Sequence, residues 1–382
     1  PLGPDTWRMI AVPELDLNLI TKNIEQTGFP LQHEVAELLR LHGWSVISSK
    51  YYLDDVQNVP REIDLIAYKV KAFQKVQLYT TLVISCKKSE KNAWVCMLQK
   101  PDFADPNINW HPQTVWTNQR CLRHMLEKTD WIRPYVSAVS GTPLFEDILN
   151  PTGHAFAFQE VDKKSSKAQN DKNIFNSITS LMKAEGYELG SLAHRKKEKA
   201  LYCFHLISIL DSDLVTVTFK ESERVIEKSK DGRFIVNYIV NGRERSSRIH
   251  FITYPYLSTI LDRYDELAAY NTDYFNRLHD SFYEDIFSDY DRVELLKEDF
   301  KRRLLWEWNY EYSQAHGGKG PCSDCNFFFD KKEEVLRIGA GANEAHTDFL
   351  NRHEGIRKHT QARLKEVYRY TGDFKFVEEV PF

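Results

Sequence analysis

The sequence predicts an α/β protein: a mixed central sheet flanked by helices, followed by a helical C-terminal module. Three observations predict it. Residues 29–43, FPLQHEVAELLRLHG, carry apolar side chains at helical spacing between a proline start and a glycine stop. Three strand-like runs follow in close succession, at 44–52, 61–70 and 79–87. Beyond about residue 266 the texture changes to aromatic and apolar residues spaced for helix packing, such as Phe275, Leu278 and Phe282.

Each element has its own warrant. A short helix around 15–24 precedes the first clear one. In that first clear helix Leu31, Val35, Leu38 and Leu39 form the apolar stripe; Glu34 lies at its edge and Glu37 projects further toward solvent. In the second strand Ile63, Leu65 and Ala67 alternate with Glu62, Asp64 and Ile66. The third strand opens as a buried apolar run, Leu82-Val83-Ile84, and ends abruptly in Ser85-Cys86-Lys87-Lys88.

Residues 95–150 are weakly periodic and read as an insertion, with a helix over 114–128 and a short strand over 135–139. A strand at 154–161 and a helix from Ile174 to about Gly186 follow. Strands at 201–210 and 214–219 read as a hairpin through Asp211-Ser212-Asp213. Strands at 234–240 and 248–253 extend the sheet's edge, and a helix over 255–269 closes it. The division expected is an N-terminal extension (1–28), a main domain (29–265) carrying the insertion, and a helical module (266–382).

Composition bounds the function. A 382-residue chain with 42% hydrophobic residues supports more than one core. Its net charge of −4 makes any phosphate-binding surface a local patch rather than a global property. No apolar run approaches the ~18 residues of a membrane span, so a membrane is not among the expected partners. Pro1-Leu2-Gly3 lacks an initiator Met and reads as a vector remnant rather than native sequence. Six scattered cysteines do not form a disulfide framework, which points to a reducing, cytoplasmic setting.

The chemistry gathers at the end of the third strand. Alternation places Ser85 and Lys87 on one face, and neighbouring strands lie about 4.8 Å apart, so Asp64 on the second strand comes within reach of both. A helix packed on that face brings Glu34 toward the same pocket. A divalent cation held by hard oxygens such as Asp64 and Glu34 offsets charge on a phosphoryl group and acidifies a water. Lys87 is the positive group that orients that water or stabilises the transition state.

In this order the segments GFPLQHEVAELLRLHGWSV, REIDLIAY and LVISCKKSEKNAW resemble the PD-(D/E)XK nuclease superfamily, in particular its restriction-endonuclease-like branch. The likeness covers residues 29–95 and continues more loosely through the second helix and the strands at 201–220. It implies a restriction-endonuclease-like core, Glu34 as the helix acid, Asp64 as the strand aspartate and Lys87 as the lysine. It further implies the backbone carbonyl of Cys86 as a ligand to Mg²⁺ or Mn²⁺, nucleic acid (DNA favoured) as substrate, and a restriction-type or phage-defence role.

The departure is Ser85, which stands where that superfamily carries an acid. Three readings stay open: the site is degenerate and the fold serves binding; a carboxylate from Glu34, Glu62 or Glu90 substitutes; or the position was changed to disable cleavage. A non-catalytic nucleic-acid-binding or scaffold subunit is the alternative function. With the nuclease reading, the 266–382 module would supply target recognition, oligomerisation or a protein-partner contact.

Around this centre, Lys69, Lys71, Lys75, Lys88 and Lys91, with a second cluster of Arg195, Lys196, Lys197 and Lys199, are the candidate phosphate contacts. Trp94, Trp110, Trp116 and Trp131 either stack on bases or, more in keeping with their setting, pack a small core. Cys322 and Cys325 form half a zinc motif that His316, His346, His353 or His359 would have to complete. His33 reads as a helix-surface histidine.

Overall fold

The structure, a computed structural model, describes residues 15–55, 57–102, 111–220, 223–341 and 343–379. Pro1-Leu2-Gly3 and Trp110 lie outside them. The chain divides into two compact units: Pro1–Trp116 with Ile132–Asn271, and Thr117–Trp131 with Thr272–Phe382.

The first unit begins with α1 (Leu17–Glu25), α2 (Phe29–Leu41), β1 (Ser45–Leu53), β2 (Pro60–Phe73) and β3 (Val76–Lys88). Pro30 sits in the first turn of α2, where a missing N–H costs nothing, and Leu31, Val35, Ala36 and Leu39 are its buried face. Then come β4 (Asn92–Gln99), β5 (Thr114–Thr117), α3 (Arg120–Lys128, in the second unit), α4 (Ile132–Val139), β6 (Gly153–Asp162), α5 (Lys172–Arg195), β7 (Ala200–Asp211), β8 (Leu214–Lys220), β9 (Glu223–Ser229), β10 (Asp231–Val240), β11 (Arg243–Thr253) and α6 (Leu257–Ser281).

Among the described residues eleven strands form one mixed sheet in the order β1-β2-β3-β7-β11-β10-β6-β4-β8-β9, with β5 paired to β7. The first three strands are an antiparallel meander. β7 then lies parallel to β3, in register from Gln77–Ala200 to Lys88–Asp211, and β11 parallel to β7. Long-range parallel pairing requires a crossover, and α5 supplies it. Its Ile174, Ile178, Leu181 and Met182 share a core with Ile66, Val83, Phe204, Leu206 and Phe251.

The mixed sheet flanked by helices agrees with the sequence, but several elements differ. The run at 135–139 belongs to a helix, α4, in which Tyr135 and Val139 are the buried positions at i and i+4. Residues 92–99 are an interior strand between β6 and β8 rather than the start of an insertion. The stretch over 114–128 opens as strand and becomes helix only at Arg120.

β7 and β8 are not a hairpin: β8 pairs with β4 and β9, while β7 is held between β3 and β11. A two-residue hairpin in this region is Asn241-Gly242, both at positive φ (52° and 69°), joining β10 to β11. Nor do β10 and β11 sit at an edge; they lie inside the sheet. α5 runs on past Gly186 to Arg195, because a residue without Cβ is what lets it close on Val240.

The second unit contains α3, α7 (Tyr290–Lys301), α8 (Leu304–His316), β12 (Asn326–Asp330), β13 (Val335–Gly339), α9 (Glu344–Arg352), α10 (Glu354–Tyr368) and β14 (Phe374–Val377). It is helical, as expected, with a small sheet in the order β12-β13-β14 that the sequence did not announce. Phe300, Trp308, Leu336, Ile338, Leu364 and Phe376 are in its core. Trp308 is fully buried, and its indole N–H donates to Thr360 Oγ1 at 3.2 Å. Among the described residues no helix is long and apolar enough to cross a membrane.

Candidate active site at the ends of the second and third strands

β2 and β3 pair only as far as Leu65–Ile84. Beyond that point β2 stays with β1 down to Pro60, while β3 stays with β7 up to Lys88. The two strands therefore part, and the Asp64 carboxylate enters the gap. Its Oδ2 accepts the Cys86 backbone N–H at 2.6 Å, the Ser85 hydroxyl at 3.3 Å and the Lys87 ammonium at 3.4 Å. A side chain has replaced the missing rung of the ladder, which answers the backbone group that the splayed strands would leave open.

Asp64, Ser85 and Lys87 thus come together as alternation requires. The Asp64 and Lys87 side chains are 26% and 28% exposed, enough for a solute to reach them. Ser85 is buried. The Cys86 thiol is driven up by burial first and by Asp64 second, which keeps it a neutral, unreactive group.

Gln32, Ser208 and Ser177, which the sequence did not single out, lie around this strand end, and a fourth such residue, Glu160, sits elsewhere in the sheet on β6. Gln32, in the first turns of α2, donates to the Asp64 backbone carbonyl at 2.7 Å and ties the helix to this strand end. Ser208 lies beside Ser85 in the parallel register, and its hydroxyl meets Ser177 of α5 at 2.8 Å inside the core. The signal was present as Ile84-Ser85 and Ile207-Ser208, two serines breaking apolar strands at matched places. Glu160, also buried, accepts from Asn92 Nδ2 (3.1 Å) and the Asn173 backbone N–H (3.1 Å), so it closes the first turn of α5.

Glu34 does not join Asp64. It is exposed, and it receives the hydroxyl of Tyr254, whose pKa is raised by burial and then by this carboxylate. Glu90 pairs with Lys88 at 3.5 Å, and Glu62 is exposed on β2. Among the described residues none of these three acids makes a hydrogen bond or ion pair with Asp64, Ser85 or Lys87. Nor is there any group of three or more His, Cys, Asp or Glu placed to hold a metal ion. Of the expected acids only Asp64 makes these contacts, a set one acid short of the pattern that the sequence resembles. As they stand these residues do not fit a resident Mg²⁺.

The cations are spread more widely than the sequence suggested. Lys69 is paired with Asp265 at 2.5 Å and lies over Trp44. Lys88 is held by the Glu25 carbonyl (2.8 Å) and Asp211 (3.8 Å). Arg195 pairs with Glu188 at 2.6 Å; Lys196 reaches the Tyr79 hydroxyl at 2.9 Å and Glu198 at 3.3 Å. Lys91 and Lys197 are exposed. The 195–197 cluster precedes Ala200, which pairs with Gln77, whereas Lys87 pairs with Leu210. Ten strand residues separate the two levels, about 33 Å.

Trp94 is buried against Phe251, Trp116 packs edge-on to Tyr202, and Trp131 lies beside Phe275, so these three of the four candidate stacking tryptophans are packing residues. Cys322 and Cys325 are buried free thiols, each pushed up to about 12 by burial. His33 is exposed on α2.

No family model, curated protein or solved structure matches this chain.

Proposed function

We propose that the chain is a nuclease-fold protein that acts on nucleic acid at the opening between β2 and β3, with DNA favoured as substrate. The observation that carries the reading is the convergence of Ser85, Cys86 N–H and Lys87 on one oxygen of Asp64, where two strands part. The order of elements adds support: a helix, a three-stranded meander and, after the intervening β4 to β6, a crossover helix and a strand parallel to the third. Metal-assisted phosphodiester hydrolysis is the chemistry to which such a site belongs, and Ser85 stands at the position of its second acid. The chain's own residues contribute Lys87, positioned to meet a phosphate oxygen, and Asp64, which holds that lysine in place.

The placement of Glu34 and Glu90 against Tyr254 and Lys88 favours a second reading, in which the fold binds nucleic acid without cutting it or serves as a subunit of a larger complex. A restriction-type or defence role belongs with the first reading. The test is a cleavage and binding assay on duplex and single-stranded DNA and RNA with Mg²⁺ or Mn²⁺, comparing the chain with Ser85→Glu and Lys87→Ala. Cleavage that appears or rises with Ser85→Glu and falls with Lys87→Ala supports the nuclease reading. Binding without cleavage in either Ser85 form supports the second, and absence of both rejects the two together.

A further inference from the structure

The second unit contains a cavity of about 610 Å³, within the size range of small-molecule sites. Its walls are aromatic: Tyr283, Phe287, Phe329 and Tyr370, with Phe287 meeting Tyr370 edge-on at 5.3 Å. The Arg369 guanidinium lies over the Tyr283 ring, 4.0 Å from its centre, and is anchored from behind by Asp280 at 2.6 Å. At the rim Lys331 is exposed and, among the described residues, forms no ion pair. Asp285 and Glu334, also exposed at the rim, bring two carboxylates.

The backbone around the cavity is unusual as well. Asp285 (φ 48°), Glu334 (φ 51°) and Arg369 (φ 55°) are three of the nine described non-glycine residues in the left-handed region, and all three line this one cavity. Such conformations cost of order 1 kcal/mol or more each and gather where a structure holds a ligand. A single one would be explained by its turn; three around one opening mark it out.

We infer that this cavity binds a nucleotide, as a free mononucleotide or an unstacked residue of a single strand. Aromatic walls accept a planar base. The Asp285 and Glu334 carboxylates accept hydrogen bonds from ring or exocyclic N–H groups, which a base offers and a plain hydrocarbon does not. Lys331 supplies the charge for a phosphate. The choice of a nucleotide over other planar anions rests on the nucleic-acid reading of the first unit.

The experiment is saturation-transfer NMR and calorimetric titration of the full chain with AMP, GMP, CMP and UMP, and with the matching nucleosides and inorganic phosphate, without added metal. Two variants accompany it: Phe329→Ala and the surface variant Lys331→Glu, which leaves the core untouched. At least one mononucleotide is expected to bind. Phe329→Ala weakens nucleotide and nucleoside alike by about tenfold. Lys331→Glu weakens the nucleotide by about fivefold and leaves the nucleoside unchanged. Absence of binding by all four mononucleotides overturns the inference, as does binding that Lys331→Glu leaves intact. Phosphate binding as tightly as the nucleotides also overturns it. Because the readout is binding without metal, failure here is distinct from failure to cleave.

Discussion

Asp64 illustrates how one residue can hold a site together while serving the fold. Cys86 is buried, and its N–H has Asp64 Oδ2 as acceptor where the β2–β3 ladder has ended. Asp64→Ala leaves that donor unanswered and should cost about 1–3 kcal/mol, read as a lower urea midpoint; an unchanged midpoint would show that water replaces the carboxylate freely. A second residue-level expectation concerns pH. His250 is fully buried between Asp231 (Oδ2 at 3.0 Å) and the Tyr264 hydroxyl (3.1 Å), and burial brings its pKa down to about 4 from an ordinary 6.5. Burial opposes the Asp231 charge too, but the His250 hydrogen bond and Arg233 more than offset it, so this carboxyl lies below its usual range. Between pH 6.5 and 4 the unfolded chain takes up a proton at His250 that the folded chain refuses. The contribution of His250 to stability is therefore complete above 6.5 and declines by about 3 kcal/mol as pH falls toward 4. Urea titrations at several pH values should show this slope, and His250→Gln should make it shallower, with His205, buried and held well below its ordinary value, supplying part of what remains; an equal slope in the variant would assign the effect elsewhere.

At the scale of elements, α5 is the piece that turns a meander into a parallel sheet, and its fit is tight. A Cβ at Gly186 would meet Val240 Cγ1 at 2.7 Å. Gly186→Ala gains about 1 kcal/mol in helix propensity but overpacks a core, so a net loss of about 1–2 kcal/mol is expected. Adding Val240→Ala should recover part of it, and a stabilised single variant would contradict the packing. The elements also show what the sequence could and could not convey. α2 through β3 were legible because apolar spacing, a proline, a glycine and a lysine-ended strand all pointed one way. β7 and β8 were misjoined because Asp211-Ser212-Asp213 announces a turn without naming the partners of the strands it separates. The small strands β12 to β14, four or five residues each, are too short to carry a period. Ser85, Asp64 and Lys87 could be placed together by alternation alone; Glu34 could not, since its partner Tyr254 is 220 residues downstream in a segment with no motif of its own.

Across the first unit, distance sorts the cations more firmly than sequence clustering does. Arg195, Lys196 and Lys197 lie at the start of β7, about 33 Å along the strands from Lys87. That exceeds the Debye length of about 8 Å at physiological salt several times over. Reversing Arg195 and Lys197 to Glu should leave affinity for a short oligonucleotide unchanged, whereas Lys87→Ala and Lys91→Glu should weaken it and lower its salt dependence. A fluorescence-anisotropy titration at two salt concentrations separates these outcomes, and equal weakening by both sets would show a longer binding track than the site proposed.

The most direct test lies at position 85. If the opening between β2 and β3 is a nuclease site short of one acid, Ser85→Glu with Mg²⁺ should cut a DNA duplex that the Ser85 chain cuts poorly or not at all. Adding Lys87→Ala to that variant should remove about a hundredfold of the new activity. A Ser85→Glu chain that is folded but neither cuts nor binds nucleic acid would contradict the reading.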